Sequence, residues 1–163
     1  MPTLIKNRQV AENIWQHADE TTVASLPGKI IVSLRVFANN AETLAERFAK
    51  GDIALKLESD QNIDELPENC SICPMIAIDF PKFTDGRGYT LARELRTVKH
   101  YKGEIRAVGD VLHDQLNAME RCGFDAFELA DGKDAQKALT AFNDFSKKYQ
   151  KDLLENKPVY QRA

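Results

Sequence analysis

The sequence predicts an α/β fold in which five short, mostly parallel strands alternate with helices, as an open sheet or a partial β/α barrel. Apolar runs begin near positions 30, 53, 75, 104 and 124, and segments with helical spacing of apolar residues separate them. This alternation is typical of parallel sheets with right-handed crossovers. The chain has 163 residues, too few for a complete eight-unit barrel, which needs about 200 or more.

Three segments are expected: an N-terminal β extension over 1–26, an α/β domain over 27–150 and a polar C-terminal tail over 151–163. In the first segment, two short apolar stretches flank a two-residue polar turn, which is typical of a β-hairpin. We expect Trp15, which stands in an otherwise polar stretch, to pack on the α/β domain. The polar tail is expected to be frayed.

The first strand is predicted over 30–32, and a helix follows it. This helix could begin at Asn39, which has Glu42 three residues later as in a capping box, or earlier at Arg35. Gly51 is well placed to end it, because glycine readily adopts the left-handed conformation that closes a helix.

The next unit joins a second strand over 53–57 to a third over 75–79 through a short helical turn over 62–66. The third strand is apolar almost throughout, as expected where helices cover both faces of a sheet. A loop over 80–88 follows, and then a helix. The apolar face of that helix is predicted to comprise Leu91, Leu95 and Val98.

The last two units are predicted around strands over 104–108 and 124–129. Between them, Asp110 is a natural N-cap for a helix that ends at Gly123. A closing helix is predicted over 135–149. Its buried face would comprise Ala138, Leu139, Phe142 and Phe145.

The composition excludes several classes of function. Lys and Arg number 22 against 25 Asp and Glu, a net charge of −3, whereas a nucleic-acid binder would carry a strong basic excess. No apolar run approaches the roughly 18 residues of a membrane span, and the first residues show no signal-peptide core. We therefore expect a cytoplasmic protein that binds neither nucleic acid nor membranes.

Cys70 and Cys73 have the C-x-x-C spacing of redox and metal sites. However, Pro74 and an apolar strand follow them, whereas a thioredoxin-type pair opens a helix. No second Cys/His pair completes a zinc site, and Cys122 stands alone. Dinucleotide and phosphate-loop motifs are missing too, so no cofactor and no metal is evident, and the sequence leaves open whether the chain is an enzyme.

Functional groups of parallel α/β folds collect beyond the carboxyl ends of the strands, which here favours the loop over 80–88. Its polar residues include Lys82, Thr84, Asp85 and Arg87. Its glycines permit close backbone approach, and it leads into the amino end of a helix, which favours an anion. Arg87 could bind a carboxylate, a phosphate or a sulfur oxyanion. Alternatively, the loop is a simple turn in which Arg87 pairs with a surface acid.

Asp110 and His113 are weaker candidates for catalytic groups. Asp110 could orient Arg87 or Lys82 across adjacent strand ends, with His113 nearby as a proton-transfer group. The alternatives are structural, with Asp110 as a helix cap and His113 as a solvated side chain.

Three segments resemble a proteobacterial family of domains of unknown function. They are IDFPKFTDGRGY over 78–89, RAVGDVL over 106–112 and RCGFDAFE over 121–128. The resemblance covers the C-terminal two thirds well and residues 1–70 in outline. Members are often encoded beside sulfite reductase and are labelled as oxidoreductases of sulfite reduction. Carried over onto this chain, the resemblance implies Asp79, Lys82, Thr84, Asp85, Arg87 and Arg106 as candidate ligand-binding residues, together with Asp110.

Three functions are compatible with these observations. The resemblance implies an accessory component of assimilatory sulfite reduction, which binds a small oxyanion or the sulfite reductase itself. The second is an enzyme that acts on an anionic small molecule at the strand ends, with Asp110 or His113 as the acid–base group. The third is a non-catalytic structural module, which could form a homodimer.

Overall fold

The computed structural model describes residues 3–82 and 84–142, which form one eight-stranded sheet and five α-helices. The strands are β1 (Thr3–Lys6), β2 (Gln9–Ala11), β3 (Trp15–His17), β4 (Lys29–Ser33), β5 (Ile53–Leu57), β6 (Met75–Phe80), β7 (Glu104–Gly109) and β8 (Ala126–Leu129). The helices are α1 (Leu34–Asn39), α2 (Ala41–Ala49), α3 (Arg87–Thr97), α4 (Leu116–Cys122) and α5 (Ala135–Ala141).

The strands from β3 to β8 lie side by side in chain order and run parallel, and β1 and β2 extend the sheet beyond β8 as an antiparallel hairpin. The α/β class and the hairpin are thereby confirmed. The predicted count of five strands is wrong, because β4–β8 account for those five and β1–β3 join the same sheet. β3 covers only three residues, too few for an alternation of apolar and polar side chains to be recognisable.

The sheet is open but curled, since adjacent strands twist in the same sense and the twist accumulates. Side chains from opposite ends of the parallel run therefore meet. His17 Nε2 of β3 lies 2.8 Å from Glu128 Oε1 of β8. On the neighbouring strand β7, Arg106 Nη1 donates to Asn13 Oδ1 at 3.0 Å, and Asn13 lies just before β3.

The convex face of the curl is apolar and carries the helices. Alternate strand residues point to this side, where they form the main core with the helices. From the sheet it includes Ile30, Val32, Ile53, Leu55, Leu57, Ile76, Ile78, Phe80, Ile105, Ala107, Phe127 and Leu129. From the helices it includes Leu44, Phe48, Leu91, Leu95, Leu116 and Met119.

The concave face is mixed. A second apolar cluster comprises Trp15, Ile31, Ala54, Met75, Ala77 and Val108. Other strand residues whose side chains point to this face are charged or titratable. They include His17, Lys56, Asp79, Glu104, Arg106 and Glu128. The two faces thus separate a conventional apolar core from a surface rich in ionisable groups.

Trp15 packs on this concave cluster, as predicted. Only 7% of it is exposed. The ammonium group of Lys29, its register partner on β4, lies 5.1 Å from the centre of the indole ring, within the range of a cation–π contact.

The first helical segment begins within one residue of Arg35, the earlier of its two predicted starts, but it is divided into two helices. The hydroxyl of Ser33 accepts a hydrogen bond from the backbone N–H of Val36 at 3.2 Å, so α1 begins directly after β4. Asn40 then separates α1 from α2, and its side chain donates to the carbonyl oxygen of Val36 rather than capping α2. The expected capping box of Asn39 and Glu42 is therefore wrong.

Asp110 does not cap an α-helix, contrary to the prediction. Gly109 has a φ of 91°, and the turn lets the backbone N–H of Asp110 donate to the carbonyl oxygen of Phe80 at 2.7 Å. A single 3₁₀ turn follows over His113–Gln115, and α4 begins only at Leu116. Its end at Gly123, with a φ of 118°, agrees with the prediction.

The expected apolar face of α3 is correct for Leu91 and Leu95 but wrong for Val98. The helix ends at Thr97, and Val98 is 62% exposed. Ala92, which is fully buried, completes the face instead.

α5 begins after Asp134, whose carboxylate accepts from the backbone N–H groups of Gln136 and Lys137. The closing helix predicted over 135–149 is therefore present as far as Ala141. Its remainder from residue 143, and the predicted tail over 151–163, lie outside the described residues. In the part of the chain that the structure describes, no helix has the length and apolarity needed to cross a bilayer.

Substituting Gly109 tests the close approach between the end of β7 and the end of β6. A Cβ at this position would lie 2.5 Å from the carbonyl oxygen of Phe80, in addition to the strain of a positive φ. We expect Gly109→Ala to lower the free energy of unfolding by about 2 kcal/mol or more in urea titrations.

Two glycines provide matched controls. Gly132 has a positive φ but open space around it, so Gly132→Ala should lower the free energy of unfolding less than Gly109→Ala does. Gly86 has a φ of −89° and open space, so Gly86→Ala should leave the free energy of unfolding nearly unchanged. Equal effects at all three positions would show that the close approach to Phe80 is unimportant.

Candidate functional site

The predicted loop over 80–88 is held together by its own ion pair. Arg87 Nη2 donates to Asp85 Oδ2 at 2.8 Å and Arg87 Nε to Asp85 Oδ1 at 3.1 Å, a two-pronged contact. The same guanidinium reaches Ser59 Oγ at 3.1 Å. The hydrogen bonds from Arg87 hold the pKa of Asp85 well below its usual range. Arg87 thus adopts the pairing that was the alternative to oxyanion binding, while Lys82 and Thr84 are exposed.

Arg106 lies in the middle of β7, not at a strand end. Only 2% of its side chain is exposed, and its charge is balanced by two carboxylates. Arg106 Nε donates to Glu104 Oε1 at 2.8 Å, and Nη1 lies 3.6 Å from Glu128 Oε2. This arginine therefore belongs to a buried network on the concave face and is not brought together with the loop over 80–88.

Asp110 and His113 lie beyond the end of β7, in the turn and the 3₁₀ segment that follow it. His113 is half-buried, and Asp110 is fixed by its backbone bond to Phe80. Neither lines the strand-end cavities described below.

Asp79 is the predicted site residue that the structure brings into a cluster of ionisable groups. Burial raises the pKa of its carboxyl, and the positive charge of Lys56 partly opposes this shift. The nearby carboxyl of Glu58 raises the pKa further, through its charge and a hydrogen bond, whereas His17 lowers it. Asp79 is therefore a carboxyl group close to a second carboxyl and to two cationic or potentially cationic side chains.

We call these residues the strand-end cluster: His17, Ser33, Lys56, Glu58, Asp79 and Glu128. Each follows from the two-residue alternation of a strand. His17 and Ser33 are the last residues of β3 and β4, and Lys56 is the register partner of Ser33. Because the strands are parallel, their carboxyl ends lie at one edge of the sheet and bring these side chains together.

Two adjoining cavities open beside the cluster. They measure about 380 and 390 Å³, sizes suited to a small molecule, and both are lined by Ser33, Arg35 and Glu58. The first also includes Lys56, and the second includes Asp60. Their walls therefore offer two cations, two hydroxyl groups and four carboxyl groups. Lys56 Nζ lies 3.5 Å from Glu58 Oε1.

Glu128 is the buried residue at one end of the strand-end cluster. It is 5% exposed, whereas the His17 side chain is 45% exposed. Burial alone would raise the pKa of Glu128, but the hydrogen bond and charge of His17, together with Arg106, outweigh burial and lower it. Glu128 is thus a buried carboxylate that presents an acceptor to an exposed imidazole. Its Oε2 atom has no hydrogen-bond partner within the described residues.

Sequence reasoning missed most of this cluster, although part of it carried a signal. Lys56 interrupts the apolar strand Ile53–Leu57, and Glu128 interrupts Ala126–Leu129. A charged residue inside a strand whose neighbours are buried is unusual and marks a special environment. His17 had no such signal, because β3 itself was not recognised.

The three cysteines are free thiols, with Cys70 and Cys73 buried and Cys122 half-buried. Burial raises the pKa of the Cys73 thiol to about 11, and its Sγ donates to the carbonyl oxygen of Met75 at 2.9 Å. A thiol with this pKa is a poor nucleophile at neutral pH. Among the residues in 3–82 and 84–142, no group of three or more His, Cys, Asp or Glu side chains is arranged to hold a metal ion.

A larger cavity of about 600 Å³ lies at the other edge of the sheet, near the start of β8. Arg96 on its wall donates to the carbonyl oxygens of Gly123, Tyr101 and Gly103 at 2.8–3.1 Å. The guanidinium of Arg96 is therefore used to connect the loop that follows α3 with the end of α4. We therefore place the candidate site at the strand-end cluster, where ionisable groups converge.

Comparison with known proteins gives one match. The family model described as "Bacterial protein of unknown function (DUF934)" matches residues 54–160. No curated protein and no solved structure matches the chain. The match confirms the predicted family of unknown function, whereas the expected link to sulfite reductase goes beyond it.

The thiols should differ sharply in reactivity. At a pH of about 8, we expect a disulfide reagent such as DTNB to modify half-buried Cys122 at least tenfold faster than Cys73. Cys122→Ser should remove the fast phase, and denaturant should release all three thiols. A fast phase that survives Cys122→Ser would show that the buried pair is accessible and would contradict this expectation.

Proposed function

The chain belongs to this bacterial family of unknown function, and we propose that it binds a small oxyanion at the strand-end cluster and exchanges protons with it. The observation that carries the proposal is the group of Lys56, Glu58 and Asp79 on the concave face, beside a cavity of about 380 Å³ whose wall includes Arg35. Cations supply affinity for an anion, and paired carboxyls supply a proton.

The cations support the binding step. The guanidinium of Arg35 can offer two parallel N–H donors to an oxyanion, and Lys56 adds a compact positive charge. Arg35 is exposed and Lys56 half-buried, so both can meet a ligand that enters from solvent. The hydroxyl of Ser33 supplies a neutral donor on the same wall. The cavity volume of about 380 Å³ leaves ample room for an anion of a few heavy atoms.

The carboxyls support the proton exchange. Two neighbouring carboxyl groups do not ionise independently, because the second negative charge is repelled by the first. Burial and Glu58 raise the pKa of Asp79 above its usual value. A raised carboxyl pKa favours a group that both accepts and donates a proton. Lys56 stabilises whichever of the two is ionised, since it lies close to both.

The wider role that we propose is that of an accessory component in assimilatory sulfite reduction. A sulfur oxyanion is small, carries negative charge and titrates, which suits a wall of Arg35 and Lys56 next to Asp79. The proposal assigns binding and proton exchange to this chain and electron transfer to the reductase. The loop over 80–88 then has a supporting part, because the Arg87–Asp85 pair and Ser59 fix the segment between β6 and α3.

Thermal unfolding with added oxyanions tests the binding site. Sulfite, sulfate and phosphate are the probes, and at least one should raise the melting temperature of the wild-type protein by several degrees. Lys56→Met should abolish that rise, because the ammonium group is lost while the aliphatic stem is kept. Lys50→Met, on the exposed surface of α2 where Lys50 pairs with Glu46, is the matched control and should retain it.

Asp79→Asn tests the proposed site through the pH dependence of stability. A carboxyl whose pKa is raised on folding contributes stability below its unfolded pKa and loses it as the pH rises through the folded pKa. At neutral pH, Asp79→Asn should therefore melt no lower than wild type without ligand, yet show altered oxyanion binding. A large loss of stability with unchanged binding would make Asp79 a structural residue and contradict the proposed site.

Growth of a deletion strain tests the wider role. We expect failure on sulfate and on sulfite as sole sulfur source, and rescue by sulfide, because the block would lie at sulfite reduction. Complementation with wild type should restore growth, and complementation with Lys56→Met should not. Normal growth of the deletion strain on all three sources would contradict the role in sulfite reduction, whatever the binding data show.

A further inference from the structure

We propose that His17 is the proton-accepting group of the strand-end cluster and that Glu128 is its positioning residue. The inference rests on the proposed function, because the proton is taken up when an oxyanion binds. It goes further by naming the atom, His17 Nδ1, and by assigning a role to a buried carboxylate that lines neither of the two strand-end cavities.

The geometry of the pair fixes the imidazole. His17 Nε2 and Glu128 Oε1 are 2.8 Å apart, a distance at which the ring nitrogen carries a hydrogen and donates it to the carboxylate. Glu128 is 5% exposed and held in the strand β8, so it cannot follow a freely rotating side chain. The contact therefore selects the tautomer with hydrogen on Nε2.

That tautomer leaves the lone pair on Nδ1. The His17 side chain is 45% exposed and therefore accessible to solvent. A ring nitrogen in this state can accept a proton, after which the imidazolium donates on both sides, to Glu128 and to a bound anion. A carboxylate that orients a histidine through one nitrogen while the other reacts is a recurrent arrangement at acid–base sites.

Charged groups of both signs surround the imidazole. Glu128 faces His17 from β8, and Asp79 is close enough for the charge of His17 to lower its pKa. Arg106 from β7 and Lys56 from β5 oppose them, and Arg106 is itself balanced by Glu104. An oxyanion beside Lys56 would add negative charge to this balance. Its arrival should therefore raise the affinity of His17 for a proton.

The proton balance of the step is simple. Neutral His17 takes one proton from solvent at Nδ1 as the anion binds, keeps its Nε2 hydrogen, and becomes an imidazolium paired with Glu128. Release of the anion returns the proton. Glu128 remains ionised throughout, so its task is to orient and stabilise the ring rather than to carry the proton.

Calorimetric titration with sulfate measures this uptake directly. Sulfate does not titrate near neutral pH, so any proton taken up goes to the protein. Titrations at a pH of about 7.5 in HEPES and in Tris, which differ in ionisation enthalpy, give the number of protons per anion bound. We expect uptake of up to one proton in wild type, and close to none in His17→Gln, which should still bind sulfate with affinity reduced less than tenfold.

Two further variants complete the set. Glu128→Gln should reduce the uptake, because the imidazolium loses its buried counter-charge. His100→Asn is the matched control: His100 is exposed with a φ of 53°, a conformation that asparagine tolerates, and the variant should keep the full uptake. Equal proton uptake in wild type and His17→Gln would overturn this inference alone, whereas failure of wild type to bind any of the oxyanions would overturn the proposed function and this inference with it.

A measurement on the wild-type protein covers the case in which a variant does not fold. Nitrogen-15 NMR of the histidine rings identifies the neutral tautomer. We expect His17 to carry its hydrogen on Nε2 at high pH and to gain the second on Nδ1 as the pH falls. A neutral ring with hydrogen on Nδ1 would overturn the inference, because the proposed acceptor would already be occupied.

Discussion

The network around the buried guanidinium of Arg106 links the two ends of the curled sheet. A charge that is 2% exposed must be balanced within the protein, because an isolated buried ion costs several kcal/mol. Glu104 lies on the same strand, but Asn13 precedes β3 and Glu128 belongs to β8. Glu128 lies on the neighbouring strand, so only Asn13 depends on the curl to reach the arginine. A flat sheet would keep the ion pairs of Arg106 but lose its hydrogen bond to Asn13 and the contact between His17 and Glu128.

The same network determines where the site chemistry lies. Glu128 contacts Arg106 on one side and His17 on the other, so the buried carboxylate that pairs with Arg106 also orients the exposed imidazole. The convex face is packed with apolar side chains and has no room for such a network. The ionisable side chains of the strands β3–β8 lie on the concave face, and the parallel strand direction brings those at the carboxyl ends to one edge.

The sequence was informative wherever a periodic signal was long enough. Each of the strands β4–β8 coincides with an apolar run in the sequence, so their existence was predictable. Their parallel direction was predictable from the alternation of these runs with helices. β3 was not, because three residues cannot display an alternation, and the missing strand also concealed His17. The end of α4 at Gly123 was predictable from glycine's tolerance of positive φ, but its start was not, since Asp110 instead takes part in a backbone turn against Phe80. Local cap residues indicate where a helix is permitted, and tertiary contacts decide whether it forms there.

For the site, the rule of strand ends was correct in location but insufficient in detail. It favoured Asp79 and the loop that follows, yet it could not distinguish Asp79 from Asp85. Arg87 lowers the pKa of Asp85, so that aspartate stabilises the fold above its ordinary pKa and loses its contribution on acidification. Burial raises the pKa of Asp79, so its ionised form opposes folding at neutral pH. A carboxyl that opposes folding and lies close to Lys56 and Glu58 is better explained by the chemistry of a ligand than by the stability of the domain.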